Sequence, residues 1–431
     1  MNKLFFIPVL ALFFSCNRSS EIVHEKDYSA FMQNGIIEKE ITKVNTELNF
    51  WKERLATDTG NFLNMKEIAA HHGQLFKLTG DIKELNIADS LLRLSTKKVN
   101  DKEASILYAL SQNSITQHRF DEAYHFNLAA EKTNCDAYIN NLLHFDASME
   151  LGKYYEASEK IAALKDKKSF DYLIRKAKLE DHYGKIDKAI ELMEQASEFI
   201  KDKRKSFYLW SLSNLGDMYG HAGRIKAAYD TYIKVLEMDS SNLYCLKGIA
   251  WIAYSHDKNT VEAKRILNFI LSQTNMPDIN LLLAEIAEWE RDNKNREGYM
   301  TKFLNEVSKP GYGYMYNKYL IHLYTDDLNE YDKALLLALD EIKRRPTPET
   351  YNWLAYVYYN KGETEKAFEI IRDHVYKRTF EPDAIMNTGF IYAEVGKKDE
   401  AKKILKECLE SSFELGPVAI NQIKEKLKSL M

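Results

Sequence analysis

Apolar and polar residues follow the rhythm of amphipathic helices along most of this chain. From about residue 35 onward, apolar positions recur at i, i+3, i+4 and i+7 in stretches of about 12 to 15 residues, which puts one continuous stripe on each helix. The stretches come in pairs, and the pairs repeat. Gly152, Gly184, Gly223, Gly362 and Gly396 are each followed five residues later by alanine, at Ala157, Ala189, Ala228, Ala367 and Ala401. The text around them repeats as YGKIDKAIEL, AGRIKAAYDT, KGETEKAFEI and VGKKDEAKKI. Upstream, an apolar residue, a small one and then tyrosine recur in Leu215-Gly216-Tyr219 and Leu354-Ala355-Tyr358, with threonine at the first place in Thr388-Gly389-Tyr392.

These positions resemble the tetratricopeptide repeat, a unit of about 34 residues built from two helices. The clearest units begin at Pro348 (Tyr351, Leu354, Ala355, Tyr358, Ala367, Ile371), at Pro382 (Ile385, Gly389, Tyr392, Ala401, Leu405, Cys408) and near Leu209 (Leu212, Leu215, Gly216, Tyr219, Ala228, Tyr232, Val235). Extending the register gives starts near 66, 104, 138, 170, 209, 243, 277, 314, 348 and 382. Units 66, 243, 277 and 314 keep little of the signature. Phe145 and Ile321 fill the small place of units 138 and 314, and Ala263 and Ala334 come one residue late in units 243 and 314.

The spacing has a physical cause. Small residues where two helices cross let their axes approach, and larger Tyr, Leu and Ile side chains fill the surrounding volume. The glycines sit where the first helix of a pair must stop in a left-handed conformation. Pro348 and Pro382 suit a first helical turn, where no amide donor is needed. One pair cannot bury its apolar faces alone, so neighbours must stack. The resemblance implies an all-α, right-handed superhelical solenoid of about ten helix pairs over residues 66–416. An N-terminal helix is expected over 35–65, and a C-terminal capping helix over 417–431, opening at Pro417.

The first residues read differently. Lys3 precedes Leu4–Phe14, an apolar run of eleven residues that is too short for a bilayer span of about 20. It reads as the core of a secretion signal over residues 1–15. A small residue directly before Cys16 resembles the lipobox of bacterial lipoproteins, although Leu12 lies one place too far upstream. That resemblance implies cleavage before Cys16, lipidation of its thiol and a location at the bacterial cell envelope, at the outer membrane, with the face left open. Residues 16–34 read as a tether.

Composition narrows the function. The chain has 431 residues and a formal net charge of −4, with no clustered basic excess of the kind a nucleic-acid footprint needs. Cys135, Cys245 and Cys408 are far apart in sequence and read as small buried hydrophobes. His71 and His72 are adjacent, which turns their rings about 100° apart on a helix. Gly311–Tyr316 (GYGYMY) lacks the lysine of a phosphate-binding loop and reads as a linker between repeats. No metal-ligand, nucleophile or cofactor signature is present, so no enzyme activity, metal or cofactor is expected.

In the repeat family the first helix of each unit lines a concave groove. Carrying its lining places over residue by residue gives Lys247, Trp251 and Tyr254, then Glu285 and Glu288, then Lys318 and His322, then Asn352, Tyr356 and Tyr359, and finally Met386 and Phe390. This is an aromatic wall with a few charges, a composition that suits protein interfaces. It lacks the cationic clamp that some family members use on acidic peptides. The expected function is a membrane-anchored scaffold that holds a segment of an unknown protein or peptide partner in this groove. The alternative is a nutrient-binding lipoprotein of an outer-membrane uptake system, which would need loop insertions that the near-unbroken units lack.

Overall fold

The computed structural model describes residues 21–100 and 102–431. Among these residues every regular element is a helix. A short turn, α1 (Glu25–Tyr28), precedes the long α2 (Ile36–Thr57). Ten consecutive pairs follow. The early ones are α3 (Phe62–Thr79) with α4 (Ile82–Lys98), α5 (Ala104–Thr116) with α6 (Phe120–Glu131), and α7 (Ala137–Glu150) with α8 (Tyr154–Ala162). The middle ones are α9 (Phe170–His182) with α10 (Ile186–Ile200), α11 (Lys205–His221) with α12 (Ile225–Met238), α13 (Leu243–Ser255) with α14 (Thr260–Gln273), and α15 (Asp278–Trp289) with α16 (Asn293–Val307). The late ones are α17 (Asn317–Asp326) with α18 (Tyr331–Arg344), α19 (Pro348–Asn360) with α20 (Thr364–Ile370), and α21 (Pro382–Glu394) with α22 (Lys398–Cys408). A last helix, α23 (Ser412–Ser429), closes the chain. The result is an all-α solenoid, whose pairs begin within a few residues of the starts expected from the repeat.

Each helix packs on its pair partner, and most pairs pack on the next. Contacts between successive units also run from first helix to first helix: α3 to α5, α5 to α7, α7 to α9, α11 to α13, α17 to α19 and α19 to α21. First helices therefore form an inner layer over α3 to α9, α11 to α13 and α17 to α21, with their pair partners outside it. No helix among the described residues is long and apolar enough to cross a membrane.

The turn inside each pair explains why the faded units still fold as pairs. Gly152, Gly184, Gly223, Gly362 and Gly396 all have φ between 70° and 88°. Four units without that glycine keep the left-handed residue, at His118 (φ 55°), Lys258 (59°), Arg291 (60°) and Asn329 (52°). A side chain in that conformation costs roughly 1–2 kcal/mol, so pair packing outweighs local preference there. Counted from this residue, alanine follows five places later at Ala123, Ala263 and Ala334 too, and all three are fully buried. The apparent lateness of Ala263 and Ala334 reflects the length of the preceding helix, and the contact itself is unshifted. The unit of Arg291 carries Arg296 at that place, and its guanidinium pairs with Glu288 (3.0 Å) and Asp327.

Close approach is sharpest around Tyr232. An added Cβ on Gly216 would lie 2.4 Å from its ring, and one on Gly248 would lie 2.6 Å from it. The ring is sandwiched between two glycines of successive first helices, and its hydroxyl donates to Asp217 (2.6 Å). Where the small place holds a large residue, the neighbours compensate. Phe145 clusters with Ala157 and Ile161, and Ile321 clusters with Ala334 and Ala338.

The solenoid closes on itself. Turns of early pairs meet linkers of late ones. Asn275 N–H donates to the Thr79 carbonyl (2.7 Å), and Gly80 leaves room for Met276. Tyr312, in the glycine-rich linker, buries itself with Ile82 and Leu85. Gly152 faces Thr347, and Gly184 lies against the Phe380 ring, which an added Cβ would approach to 2.7 Å. Arg345 crosses the same seam, with its guanidinium 5.1 Å from the Phe120 ring centre and 5.0 Å from that of Trp353. It is held there by Glu341, which is 1% exposed and accepts from Asn317, Arg344 and Arg345, each at 2.7 Å.

Residues 21–34, read from sequence as part of a tether, pack on the outer layer instead. The Ile22 and Val23 amides donate to the Asp257 carboxylate (3.1 and 2.9 Å). Tyr28 is fully buried, and its hydroxyl accepts from Arg265 (2.8 Å). Val23 and Tyr28 join the largest apolar core cluster, enough to fix an otherwise polar segment. Residues 1–20, with the expected signal and Cys16, lie outside the described residues.

Candidate interaction site

The C-terminal helix decides what the inner layer can do. It packs on α11, α13, α15, α21 and α22, four of which are first helices. Gly416 breaks it with φ 77° and ψ 169°, and Pro417 restarts it. Residues before that break turn inward. The Phe413 carbonyl accepts from Trp251 Nε1 (3.1 Å) and from the Ser255 hydroxyl (2.6 Å). The Phe413 ring lies against Gly220, where an added Cβ would meet it at 2.6 Å. Gly416 sits against Glu285 and Trp251. The inner surface already holds a polypeptide segment, and that segment is the chain's own.

The residues expected to line the groove do gather on this inner layer, but α23 and their neighbours occupy most of them. Lys247 pairs with Asp278 (2.9 Å) and lines, with Trp251, a cavity of about 430 Å³. Tyr254 is buried, 1% exposed, and so is withdrawn from any partner; Glu285 lies beneath Gly416. Glu288 accepts from Arg296. Lys318 pairs with Asp383 (2.9 Å), whose negative charge raises the lysine above its usual range against the opposing effect of burial. His322 stacks obliquely on Tyr356 with ring centres 4.7 Å apart, and Tyr356 donates to Asp326 (2.6 Å). Asn352, also 1% exposed, is spent on Asn387 (3.2 Å). Tyr356, Tyr359, Met386 and Phe390 share a cleft of about 440 Å³ whose other wall is Gln422, Glu425 and Lys426 of α23. As a continuous open groove, the expected wall is therefore corrected to a self-occupied one. The reason is the inward turn at Gly416.

An open stretch exists that sequence reasoning passed over. The first helices α5, α7, α9 and α11 enclose a cleft of about 530 Å³, lined by Ile115, Leu143, Ile174, Met218 and Trp210, with Arg175 and Lys178 among them. Trp210 is 45% exposed, unusual for so large an apolar side chain. Arg175 pairs with Asp146 (2.6 Å) and Lys178 with Glu150 (2.7 Å). The signal was available: Ile115, Ile174, Lys178 and Trp210 hold the same lining places on the earlier first helices α5, α9 and α11.

Electrostatics mark the floor under Gly416. Burial pushes the Glu285 carboxyl up to about 7; the Tyr254 hydroxyl opposes the rise and the charge of Glu288 adds to it. A carboxyl raised in the folded state makes stability fall as pH rises from its ordinary value, 4.5, to about 7. Glu285→Gln removes that loss. We expect the variant to gain about 2 kcal/mol over the parent at pH 8 and little at pH 5, measured by urea unfolding at both. An equal effect at both values would contradict the burial of this carboxyl. The thiols of Cys245 and Cys408 are pushed up to about 12 by burial, which keeps them protonated and unreactive. Among the described residues no group of three His, Cys, Asp or Glu side chains comes together as a metal site.

Comparison with known proteins agrees with this architecture. The tetratricopeptide repeat family model matches residues 211–242, 348–373 and 382–414, the three units that sequence reading found clearest. A TPR repeat-containing protein of Methanocaldococcus jannaschii is 24% identical over 253 residues, which cover 54% of this chain and 42% of that protein. The chain thus spans less than half the length of the curated relative it matches. A solved tetratricopeptide repeat protein from Parabacteroides merdae aligns at 19% identity and a TM-score of 0.35, over 61% of this chain and 98% of that one. The human IFIT1 dimer with PPP-AAAA aligns at 14% identity and a TM-score of 0.46, over 72% and 71%. With three units matched by the family model and ten helix pairs stacked among the described residues, the chain carries tetratricopeptide repeats within an all-α solenoid.

Proposed function

We propose that this protein is a membrane-anchored scaffold that holds a segment of a partner protein in the open cleft of α5, α7, α9 and α11. Repeats of this family suggest interaction scaffolds, typically non-catalytic. The observation that carries the finer reading is the cleft itself. Four successive first helices present an exposed tryptophan, apolar side chains and paired charges in one concavity of about 530 Å³. Exposed aromatic anchors surrounded by polar pairs are where binding energy concentrates at interfaces. The way α23 lies on the neighbouring first helices supports the same reading, since that inner layer accepts a chain through main-chain carbonyl bonds.

The anchor is the lipid on Cys16. Four residues separate it from Glu21, five steps along the chain that reach at most about 18 Å. This would hold the outer surface of α12 and α14 close to the membrane and leave the inner cleft free to face a partner.

The test is recovery of crosslinked partners from intact membranes. Trp210→Ala is expected to reduce recovery about tenfold or more while the far-ultraviolet circular dichroism stays that of the parent. Unchanged recovery would put binding elsewhere. Cys16→Ala should abolish palmitate incorporation and release the protein from the membrane fraction; retention with no label would remove the lipid anchor from the account.

A further inference from the structure

We propose that the cavity between α11, α13, α15 and the inward turn of α23 receives an arginine side chain of the partner. This rests on the scaffold reading above and adds the chemistry of one anchor.

The cavity, of about 430 Å³, is large enough for such a group. Its lining carries three carboxylates, Asp217, Asp278 and Glu414, against one lysine, Lys247, and one histidine, His221. Lys247 is already spent on Asp278. Asp217 accepts hydrogen bonds from the Tyr232 and Tyr244 hydroxyls, which solvate its charge without neutralising it. Glu414 sits among His221, Asp383, Asp181 and Lys318, and Lys318 is itself held by Asp383. Burial pushes the Glu414 carboxyl above its ordinary range and Asp383 and Asp181 add to the rise, while the charges of His221 and Lys318 oppose it.

The remaining walls are aromatic. Tyr244 and Tyr319 stand about half exposed at the rim, and Trp251 and Phe413 lie deeper. The indole N–H of Trp251 is taken by the Phe413 carbonyl, so its ring face is what remains. A cation over aromatic faces and beside carboxylates is favoured on both counts. A guanidinium fits best, because its plane stacks on rings while its edge meets a carboxylate with two donors. An anionic ligand would face three carboxylates, with Lys247 already paired and His221 the one other basic side chain in the lining.

Isothermal titration of the full chain decides this. The probes are acetyl-Gly-Gly-Arg-Gly-Gly-amide and the same peptide with citrulline, which keeps the shape and loses the charge. The arginine peptide is expected to bind about tenfold more tightly or better. Glu414→Gln should weaken it about fivefold or more while leaving the thermal midpoint within about 2 °C of the parent. Equal binding of the two peptides, binding of neither, or no effect of Glu414→Gln in the folded protein would overturn the proposal. Agmatine binding more tightly than the arginine peptide would overturn a protein side chain as the source. Recovery of partners through Trp210 is read separately. If that persists without arginine selectivity, only this inference fails; if arginine selectivity is found and no partner is recovered, the scaffold reading fails.

Discussion

Replacing Glu341 with alanine should lower stability by about 4 kcal/mol, because it strips a buried carboxylate from two guanidinium groups that depend on it. Arg344 and Arg345 both bond to it at 2.7 Å, and their side chains are 12% and 17% exposed, so water replaces the lost partner poorly. The loss reaches beyond α18. Arg345 stacks between Phe120 and Trp353 at the seam that closes the solenoid, so the variant should also expose amides near Thr79, Gly152 and Thr347 to hydrogen exchange. The parent carries a matching pH dependence. Burial alone would push the Glu341 carboxyl up, but Arg345, Arg344 and Asn317 outweigh burial and hold it below its ordinary value of 4.5. A depressed carboxyl contributes stability that is full above that value and is lost as pH falls through the folded-state value. Urea unfolding between pH 3 and pH 7 checks both statements; a loss below about 1 kcal/mol at pH 7 would mean the network is ornamental.

Gly216→Ala is the second large effect, at about 3 kcal/mol. The new methyl would lie 2.4 Å from the Tyr232 ring, and the ring has no retreat, since Gly248 admits it only from the other side and Asp217 fixes its hydroxyl. Gly223→Ala provides the contrast. Nothing lies within 4 Å of that position, and only its φ of 70° resists a side chain, so a loss of about 1 kcal/mol is expected. Pairing Gly216→Ala with Tyr232→Leu should recover part of the loss, because the smaller side chain can yield. If Gly216→Ala and Gly223→Ala cost the same, backbone conformation and not helix approach explains the small place of the repeat.

Much of the solenoid was legible in the sequence. Five glycines with alanine five places later set the period, and the pairs begin where that period puts them. Three of the faded units were harder because their turns use Lys258, Arg291 and Asn329 in place of glycine, which removes the repeating Gly-to-Ala spacing. The seam was not legible. It joins Thr79 to Asn275 and Gly184 to Phe380, and pairs so distant in sequence leave no local pattern. Trp251, Tyr356 and Phe390 lie on first helices, as the repeat register places them, but that register carries no sign of what covers them. That covering depends on one backbone break at Gly416, which aims Phe413 inward. The segment before α2 was misread as a tether because only Val23 and Tyr28 anchor it, too few apolar positions to make a period.

Closure of the solenoid brings early turns against late linkers, and with α23 turned inward at Gly416 it leaves the α5–α11 cleft as the open face. Spin labels on cysteines placed at Tyr183 and Arg378, on either side of the contact between Gly184 and Phe380, read it by double electron–electron resonance. A single narrow population at short distance is the result this architecture requires. A broad distribution at long distance, in protein that remains fully helical, would show an open rod and return the whole inner surface to solvent.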